Sequence, residues 1–498
     1  MKWHACGVVA FWCLAAAEAR QAGSPKAGDV VLEAASLTTP ETGKVDFETG
    51  TLTVPENRSE PKSRLIRVGF ARFRALSPSP APPLFHLPGG PGTSLLAPLK
   101  PENKNLASAL KRLERYRRAG DVVIVDQRGY SERGDVLTYT HRSAGEPFDQ
   151  PGSVARSTAA FAEMARAAVA EYTRKGLDLR GYTVKECADD VDDLRRALGY
   201  DKITLVGTSF GSQWSFAVMK RHGDRVARAL LSGVEPLDHG YDMPSHVFAA
   251  VQRMWWEAEK DPRLQALLPP GGLLEATREV LQRLDRAPVR VNVKDPKSGG
   301  SVTVALGRED FQRDAFRKGA ACPAFVLSIH RERYEEWATE VLARRRSQDS
   351  VHRIIGPLID TSLGVTPKRA FLLRTDVGTE FLGRWGFDAY LATAELWTTP
   401  DVGDGFRAEA ECSIPVVFAQ GDWDTSTPVE NTLHIAPYFP NGRVLIAEHG
   451  GHGVLEPIAQ HAPQAWAKLF EFLQTGSTAG IPARVTLPFP KFVVPDLK

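Results

Sequence analysis

The chain has 498 residues, of which 43% are hydrophobic and 24% charged, an ordinary composition for a soluble globular protein. Its 62 basic and 60 acidic side chains leave a net charge of +2, which gives no reason to expect nucleic acid or an anionic membrane as a partner. The length predicts two or three compact units. No uninterrupted apolar run reaches the roughly 18 residues that a membrane-spanning helix needs.

The N-terminus, residues 1–19, has the layout of a secretory signal peptide. Lys2 precedes an apolar run, and Ala17–Ala19 forms a small-x-small cleavage site. We therefore expect the mature protein to be secreted or periplasmic. Neither Cys6 nor Cys13 lies in a lipid-attachment motif, because a tryptophan precedes Cys13 where a small residue is needed. No membrane anchor is expected.

Three cysteines remain in the predicted mature chain: Cys187, Cys322 and Cys412. An exported protein can pair two of them, and the sequence leaves open which pair forms. No cysteine has a partner two to four residues away, as zinc sites require. We expect neither a metal nor an organic cofactor, and the oligomeric state is left open.

Short β-rich runs open the ordered part of the sequence. GTLTVPEN (50–57) and LIRVGFARFRAL (65–76), separated by a polar turn, predict an antiparallel start to a sheet. PPLFHLPGGPG (82–92) carries an apolar strand into a glycine-proline loop, and DVVIVDQRG (121–129) contains a second buried strand. We interpret Arg128, at the end of that strand, as a structural ion-pair partner, since a planar guanidinium is suited to holding loops.

An amphipathic helix and further buried strands follow. Residues 184–198 place apolar side chains at three- and four-residue steps, and Gly199 ends the helix. KITLVGTSFG (202–211) and RALLSGVE (228–235) each contain a strand that enters a glycine turn. Alternating buried strands and amphipathic helices predict a parallel, doubly wound α/β sheet.

After Glu235 this rhythm breaks, and the sequence becomes mostly helical and rich in tryptophan and arginine. One predicted hairpin has Gly299-Gly300 at its turn. The rhythm resumes with PVVFAQGDWD and RVLIAEHGGHG and closes on an amphipathic helix. We predict one sheet domain over 20–235 and 412–498, interrupted by a mostly helical insertion over 236–411.

The pattern G-x-S-x-G occurs once between a predicted strand and a predicted helix, with Ser209 at its centre. This is the setting of a nucleophile elbow, in which small flanking residues allow a sharp turn. The alternative is a serine that caps the helix. The strand-turn-helix context favours Ser209 as a nucleophile, which needs a base to accept its proton.

The base and its orienting acid are expected later in the chain, in the order serine, acid, histidine. Asp424 and His452 each follow a predicted strand, so both lie at the carboxyl edge of the sheet, where ligands bind in such folds. Asp424 would hold the imidazole of His452 in the tautomer that accepts the proton. Asp422 and His449 are the competing candidates for the two roles, and we interpret them as loop-shaping groups.

Backbone donors for an oxyanion are expected in two places. One is the N–H of Phe210, directly after the nucleophile, and the other belongs to the loop LPGGPG. Gly90 is the first choice for that second donor and Gly89 the second choice. Glycines there let a backbone N–H approach the substrate without obstruction by a side chain.

Several motifs, in this order, resemble the proline iminopeptidase and tripeptidyl aminopeptidase branch of the α/β-hydrolase superfamily. They are LPGGPG, DQRG, GTSFG, GDWDTSTP and HGGHG, together with GTLTVPENR, ADDVDDLRRALGY and the tail segment LPFPKF. The resemblance covers most of the predicted mature chain outside the insertion. Many relatives differ at Pro88, where they have histidine, and after DQRG, where this chain has Tyr130-Ser131-Glu132. Neither difference removes a catalytic group.

The resemblance implies an α/β-hydrolase fold with a helical cap over the active site. It also implies a serine hydrolase that cleaves a peptide at its free N-terminus through an acyl-enzyme, with a cap carboxylate that pairs with the substrate ammonium. Glu235, Glu257 and Glu259 are the candidates for that carboxylate. A carboxylesterase or amidase acting on small molecules is the alternative, and a non-catalytic binding protein is a remote one.

Overall fold

The computed structural model describes residues 25–496, so the predicted signal peptide lies outside the described residues. Every helix in this range is too short or too polar to cross a lipid bilayer. The strands are β1 Val30–Thr39, β2 Gly43–Pro55, β3 Leu65–Phe73, β4 Leu84–Leu87, β5 Val122–Val125, β6 Thr138–Ser143, β7 Ile203–Thr208, β8 Val226–Ser232, β9 Val289–Lys294, β10 Ser301–Leu306, β11 Gln348–Arg353, β12 Val416–Gly421, β13 Arg443–Glu448 and β14 Arg484–Thr486.

The helices alternate with the strands in the first and last parts of the chain and fill the middle. They are α1 Leu106–Arg117, α2 Val154–Arg174, α3 Val184–Ala197, α4 Phe210–His222, α5 Pro244–Ala258, α6 Pro262–Gln265, α7 Gly272–Arg286, α8 Arg308–Asp314, α9 Cys322–His330, α10 Glu335–Arg345, α11 Ile355–Leu363, α12 Pro367–Thr375, α13 Thr379–Leu382, α14 Asp388–Thr393, α15 Asp404–Arg407, α16 Val429–Ile435, α17 Leu455–His461 and α18 Pro463–Thr475.

Ten strands form one sheet in the order β1-β2-β3-β5-β4-β7-β8-β12-β13-β14. The pairs β1-β2, β2-β3 and β3-β5 are antiparallel. Every further pair, from β5-β4 to β13-β14, is parallel. The antiparallel start and the mostly parallel continuation were both predicted, and both are confirmed. The carboxyl ends of the parallel strands therefore meet at one edge.

Both faces of this sheet are buried, and successive side chains of a strand point to opposite faces. On β5, Val123 and Val125 face one apolar cluster, which includes α3 and α4. Val122 and Ile124 face the opposite cluster, which includes α1 and α18. Each such side chain contributes about 1.5–3 kcal/mol of burial free energy, so the strands that end at the site belong to a rigid layer.

The segment between β8 and β12 contains α5 to α15 and its own apolar cluster. Its aromatic residues pack on each other there, and the Trp255 indole N–H points at Cys322 Sγ, 3.4 Å away. The predicted hairpin is β9-β10, and Gly299 at its turn has φ +71°. The inserted segment is also tied to the earlier chain, because β11 pairs antiparallel with β6. Cys187, Cys322 and Cys412 all carry free thiols.

Arg128 is fully buried and anchors the helix that precedes the nucleophile strand. Its guanidinium donates to both carboxylate oxygens of Asp190 on α3, at 2.7 and 2.6 Å. It also donates to the carbonyls of Glu56 and Gly181, at 2.8 and 2.6 Å. The interpretation of Arg128 as a structural ion-pair partner is confirmed. Because bidentate, fully hydrogen-bonded pairs are the favourable form of a buried ion pair, this one fixes three segments together.

Candidate active site

Ser209 lies between β7 and α4, in a turn that bends its backbone sharply. Its φ of +59° and ψ of −134° lie in a region that L-residues rarely adopt. The turn is held by a hydrogen bond from the Ser209 N–H to the carbonyl of Ser232 (3.0 Å) and by the Ser212 hydroxyl, which donates to the Ser209 carbonyl (2.7 Å). Strain of this kind persists only where the surroundings enforce it.

The two glycines of the motif allow the close approach that this turn needs. A Cβ atom at position 207 would lie 2.3 Å from the Gly211 carbonyl oxygen, and one at position 211 would lie 2.2 Å from the Leu87 carbonyl oxygen. Both distances are far inside van der Waals contact. Gly207 and Gly211 are thus required by the packing of β7, α4 and the end of β4 against one another.

Asp424 and His452 come together at the carboxyl edge, from the loops after β12 and β13. The His452 Nδ1 atom lies 3.0 Å from Asp424 Oδ2 and 3.2 Å from Oδ1. The Asp424 side chain is completely buried, whereas that of His452 is 37% exposed. A Cβ atom at Gly233, just after β8, would lie 3.0 Å from His452 Cε1, so the ring sits over the strand whose end also binds Ser209.

Two residues that the sequence reasoning missed hold Asp424 in place. The Thr427 hydroxyl donates to Asp424 Oδ2 (2.6 Å) and Gln420 Nε2 donates to the same oxygen (3.0 Å). Gln420 also donates to the Thr427 carbonyl (2.7 Å) and accepts from the Val234 N–H (2.9 Å). Its signal in the sequence is a lone amide at the end of the otherwise apolar strand PVVFAQG. Gln420 is therefore a positioning residue.

The pKa values of Asp424 and His452 are determined by burial and by the interactions of the pair, which act in opposite directions. Burial alone would raise the pKa of Asp424, but the hydrogen bonds from His452 and Thr427 outweigh it and hold that pKa below its usual value. Burial alone would lower the pKa of His452, but the hydrogen bond and charge of Asp424 raise it above its usual value. Asp424 is therefore suited to stabilise an imidazolium on His452.

The competing candidates have other partners. Asp422 Oδ1 accepts from the backbone N–H of His449 (2.7 Å), and His449 Nδ1 lies 3.0 Å from the Leu487 carbonyl. The His449 ring stacks on Phe489 with 3.9 Å between ring centroids. These contacts shape the two loops and dock the C-terminal segment, and they match the interpretation of both residues as loop-shaping groups.

Backbone donors lie on both sides of Ser209. Phe210 is the first residue of α4, so its N–H has no acceptor within the helix. Gly89 lies against the nucleophile, because a Cβ atom there would be 3.7 Å from Ser209 Oγ. Gly90 follows with φ +115°, and within residues 25–496 its N–H donates to no protein acceptor. The Phe210 N–H thus lies directly after the serine, and of the two loop glycines it is Gly89, the second choice, that contacts Ser209.

A group of three carboxyl groups, Glu235, Asp242 and Asp360, lies beside this pair of loops. Burial raises the pKa of Glu235 well above its usual value, and the charges of Asp242, Asp360 and Asp424 raise it further. Burial also raises the pKa of Asp242 to about 7 and that of Asp360 to about 8. Each of the three residues is largely buried and keeps a small exposure to solvent. We call these three residues the acidic group.

Glu235 was a predicted site residue, and its position follows from the strand before it. It comes three residues after β8, and its backbone N–H donates to the Ser212 hydroxyl (2.9 Å), next to the nucleophile turn. Asp242 receives one hydrogen bond, from Asn431 Nδ2 (2.9 Å). In the described part of the chain, no hydrogen-bond donor reaches the carboxyl group of Glu235 or Asp360.

The structure places the other candidate glutamates elsewhere. Glu257 pairs with the exposed Lys260 (2.8 Å), and Glu259 accepts from the backbone N–H of Leu273 (2.8 Å) at the start of α7. Their contacts are therefore with the inserted segment and not with the acidic group. Asp242 and Asp360, which belong to the acidic group, were missed because isolated acids in a helical insertion carry no distinguishing signal.

A cleft of about 490 Å³ adjoins the acidic group. Its lining includes Asp242, Thr425 and Ser426, the last two in the loop that carries Asp424. Phe316 and Trp385 of the inserted segment contribute apolar surface. The cleft thus connects the candidate catalytic loops with the helical insertion.

The fold and the order of the site residues define a hydrolase of the α/β type. A family model described as the alpha/beta hydrolase fold matches residues 82–457, which is more than half of the chain. The protein therefore belongs to the α/β-hydrolase fold family. The predicted fold class is confirmed. A search of curated proteins found no match.

Solved structures similar to this chain include three bacterial enzymes. They are a serine hydrolase from the polyaromatic-hydrocarbon-degrading Cycloclasticus zankles (11% identity, TM-score 0.33, covering 90% of this chain and 99% of that one), an esterase from Exiguobacterium antarcticum (12%, 0.35, 84% and 98%) and a thermophilic esterase from Thermogutta terrifontis (15%, 0.32, 85% and 99%). At these identities and TM-scores the likenesses carry no argument about function.

Proposed function

We propose that the protein is a serine hydrolase in which Ser209, His452 and Asp424 form a catalytic triad. Ser209 Oγ attacks a carbonyl carbon while its proton passes to His452 Nε2. The N–H groups of Phe210 and Gly90 bind the oxyanion that develops. The geometry that supports this is the strained Ser209 turn beside the hydrogen-bonded Asp424-His452 pair.

Collapse of the tetrahedral intermediate breaks the bond to the leaving group, which takes the proton from His452. The acyl group stays on Ser209. A water molecule then gives its proton to His452 and attacks the acyl carbon, and the proton returns to Ser209 Oγ as the acid leaves. Asp424 keeps its charge throughout and stabilises the imidazolium in both halves of the cycle.

We further propose that the substrate carries a free α-ammonium group, as in an aminopeptidase. The observation behind this proposal is the acidic group, in which no cation among the described residues pairs with the carboxyl groups of Glu235 and Asp360. Burial raises the pKa of all three carboxyl groups, and the charges of Asp242 and Asp360 raise that of Glu235 further. An ammonium group would supply the missing cation and restore their charge.

The position of Glu235 favours cleavage close to the free amino group. Its backbone N–H donates to the Ser212 hydroxyl, and the charge of Asp424 contributes to raising the pKa of its carboxyl group. The α-ammonium of a terminal residue lies two bonds from the scissile carbonyl carbon, so its counter-ion must lie close to the triad. The cleft beside Asp242 would take the remainder of the N-terminal part of the substrate.

The test compares aminoacyl anilides that differ only in the amino group. We expect hydrolysis of the free-amino compound to be much faster than hydrolysis of its N-acetyl form, because only the free ammonium pairs with the acidic group. A preference for the blocked amide or for a simple ester would contradict the aminopeptidase proposal and indicate a carboxylesterase or amidase.

The triad itself is tested separately. The variant Ser209→Ala should fold normally and lose turnover, and the wild-type protein should be labelled by a fluorophosphonate probe at Ser209. Full activity of the variant, or failure of the probe to label a folded protein, would contradict the triad and would favour a non-catalytic binding protein.

We also propose that the enzyme acts after export. This rests on the signal-peptide pattern over residues 1–19. N-terminal sequencing of the protein recovered from the periplasm or the medium should give a chain that begins after Ala19. Recovery of the intact N-terminus from the cytoplasm alone would contradict it.

A further inference from the structure

A second cluster of ligand-type side chains lies behind the acidic group, on the side of α16. His239, Glu409 and His434 each offer one ligand atom, and these atoms lie within 4.8 Å of one another. The three residues come from separate segments: the loop after β8, the loop before β12, and α16. None of them belongs to the proposed triad or to the acidic group.

The contacts of His239 prepare one nitrogen for coordination. Asn431 Nδ2 donates to Asp242 Oδ1 (2.9 Å), so the amide oxygen of Asn431 faces His239 Nδ1, also at 2.9 Å. That oxygen can only accept, and Nδ1 must therefore carry the ring proton. The Nε2 atom is left with its lone pair. A histidine whose other ring N–H is held by an oxygen is the usual arrangement around a bound metal.

The other two residues complete a set of two imidazoles and one carboxylate. His434 Nε2 lies 3.0 Å from Glu409 Oε1, and the rings of His434 and His239 have centroids 4.8 Å apart. Two histidines and a glutamate are a recognised ligand set for Zn²⁺, with a fourth position open to water. Neighbouring ligand atoms on a tetrahedral Zn²⁺ lie about 3.3 Å apart, given bonds of about 2.05 Å.

The ligand atoms, which lie within 4.8 Å of one another, can reach the spacing of a tetrahedral site by movement of the His434 and Glu409 side chains. His239 is 3% exposed and fixed, whereas the side chains of His434 and Glu409 are 47% and 21% exposed and provide the entry path. Arg369 is the neighbouring buried cation, and the carboxylates of Asp238, Asp242 and Glu409 offset its charge. The cluster therefore joins one rigid, neutral imidazole to two ligands that can close on an ion.

We infer that His239, Glu409 and His434 form a binding site for a divalent transition-metal ion of the Zn²⁺ type. Binding breaks the contact between His434 Nε2 and Glu409 Oε1 and requires the His434 ring proton on Nδ1, so that the Nε2 lone pair is free to coordinate. The site communicates with the acidic group through one chain of hydrogen bonds, from His239 through Asn431 to Asp242. A metal on Nε2 would hold the His239 ring in place and, through Nδ1, the Asn431 amide that donates to Asp242.

The test is a titration of the untagged, folded protein with Zn²⁺ by calorimetry, and with Co²⁺ by visible absorption. We expect one ion to bind per chain, with a low-coordinate Co²⁺ spectrum. His434→Ala and Glu409→Gln should each abolish that binding. Both positions reach solvent, and circular dichroism would establish that the variants fold.

The matched control is His330→Ala. His330 Nε2 pairs with Oε2 of the exposed Glu279 (2.7 Å) and so reproduces the histidine-carboxylate pair of the cluster; its replacement should leave Zn²⁺ binding intact. The inference is overturned if the wild-type protein binds no stoichiometric metal, or if binding survives both His434→Ala and Glu409→Gln. The same titration on Ser209→Ala makes the result independent of hydrolysis.

Discussion

The acidic group offers the sharpest test of substrate recognition, and Glu235→Gln is the perturbation of choice. Glutamine has the shape of glutamate but no charge. The Glu235 carboxyl receives no hydrogen bond from the described residues, so its replacement disturbs little of the surrounding protein. The backbone N–H that binds Ser212 is unchanged. Any loss of activity should therefore report on the interaction with substrate.

The magnitude follows from the chemistry of one charge-assisted hydrogen bond. Such a bond contributes about 1.5–3 kcal/mol, and about 1.4 kcal/mol corresponds to a tenfold change. We expect kcat/KM for a free-amino anilide to fall about 10- to 150-fold in Glu235→Gln. Asp242 and Asp360 remain in place, so the loss should be partial. The N-acetyl anilide has no ammonium, and its slow hydrolysis should be unchanged.

The dependence on pH has a defined sign. The raised pKa values of Asp242, about 7, and Asp360, about 8, mean that these carboxyl groups gain charge as the pH rises through that range. The affinity for an ammonium should rise with them, until the substrate amine loses its own proton near pH 8. KM for the free-amino substrate should therefore pass through a minimum, and KM for the blocked one should not.

Glu257→Gln is the matched control. It removes the same charge from a glutamate near the end of α5, whose partner Lys260 follows that helix. It should leave both substrates unaffected. The reasoning is refuted if Glu235→Gln lowers the hydrolysis of free and blocked anilides equally, or if it changes neither while Glu257→Gln selectively impairs the free-amino substrate.

Three further predictions concern the triad. Gln420→Leu leaves buried groups such as the Val234 N–H without a partner, at about 1–3 kcal/mol each; denaturant unfolding should show this loss, and kcat should fall more than KM rises. Asp424→Asn should lower kcat about 10⁴-fold and move the acid limb of the pH-kcat/KM profile to lower pH, because Asp424 raises the pKa of His452; an unmoved limb would contradict this. Gly207→Ala forces a Cβ atom to 2.3 Å from a carbonyl oxygen, so fluorophosphonate labelling should be lost even where the protein folds.

The central sheet and the approach of Asp424 to His452 were predictable because their signals are local. A strand, a glycine turn and a helix are adjacent in sequence around Ser209, and Asp424 and His452 each follow a strand. Parallel strands bring their carboxyl ends to one edge, so the local pattern already implies proximity. The hydrogen bond between Asp424 and His452 shows this proximity directly.

Burial of polar groups was much less predictable. The periodicity of α3 identified its apolar face, yet Asp190 on another face is also buried, against Arg128 and Arg58. Periodicity predicts which face of a helix is apolar, but it does not predict which charged side chains are buried against residues distant in sequence. The acidic group shows the same limit, since Asp242 and Asp360 join Glu235 only through the packing of the insertion.

The acidic group and Asp424 lie close together but differ in the direction in which their pKa values are shifted. The proposed mechanism needs Asp424 ionised, while three more carboxyl groups lie nearby. Hydrogen bonding separates them: Asp424 accepts from His452, Gln420, the Thr427 hydroxyl and two backbone N–H groups. Its neighbours have few donors or none, so burial raises their pKa values while the pKa of Asp424 is lowered. An arriving ammonium would ionise the neighbours and leave the charge that orients His452 untouched.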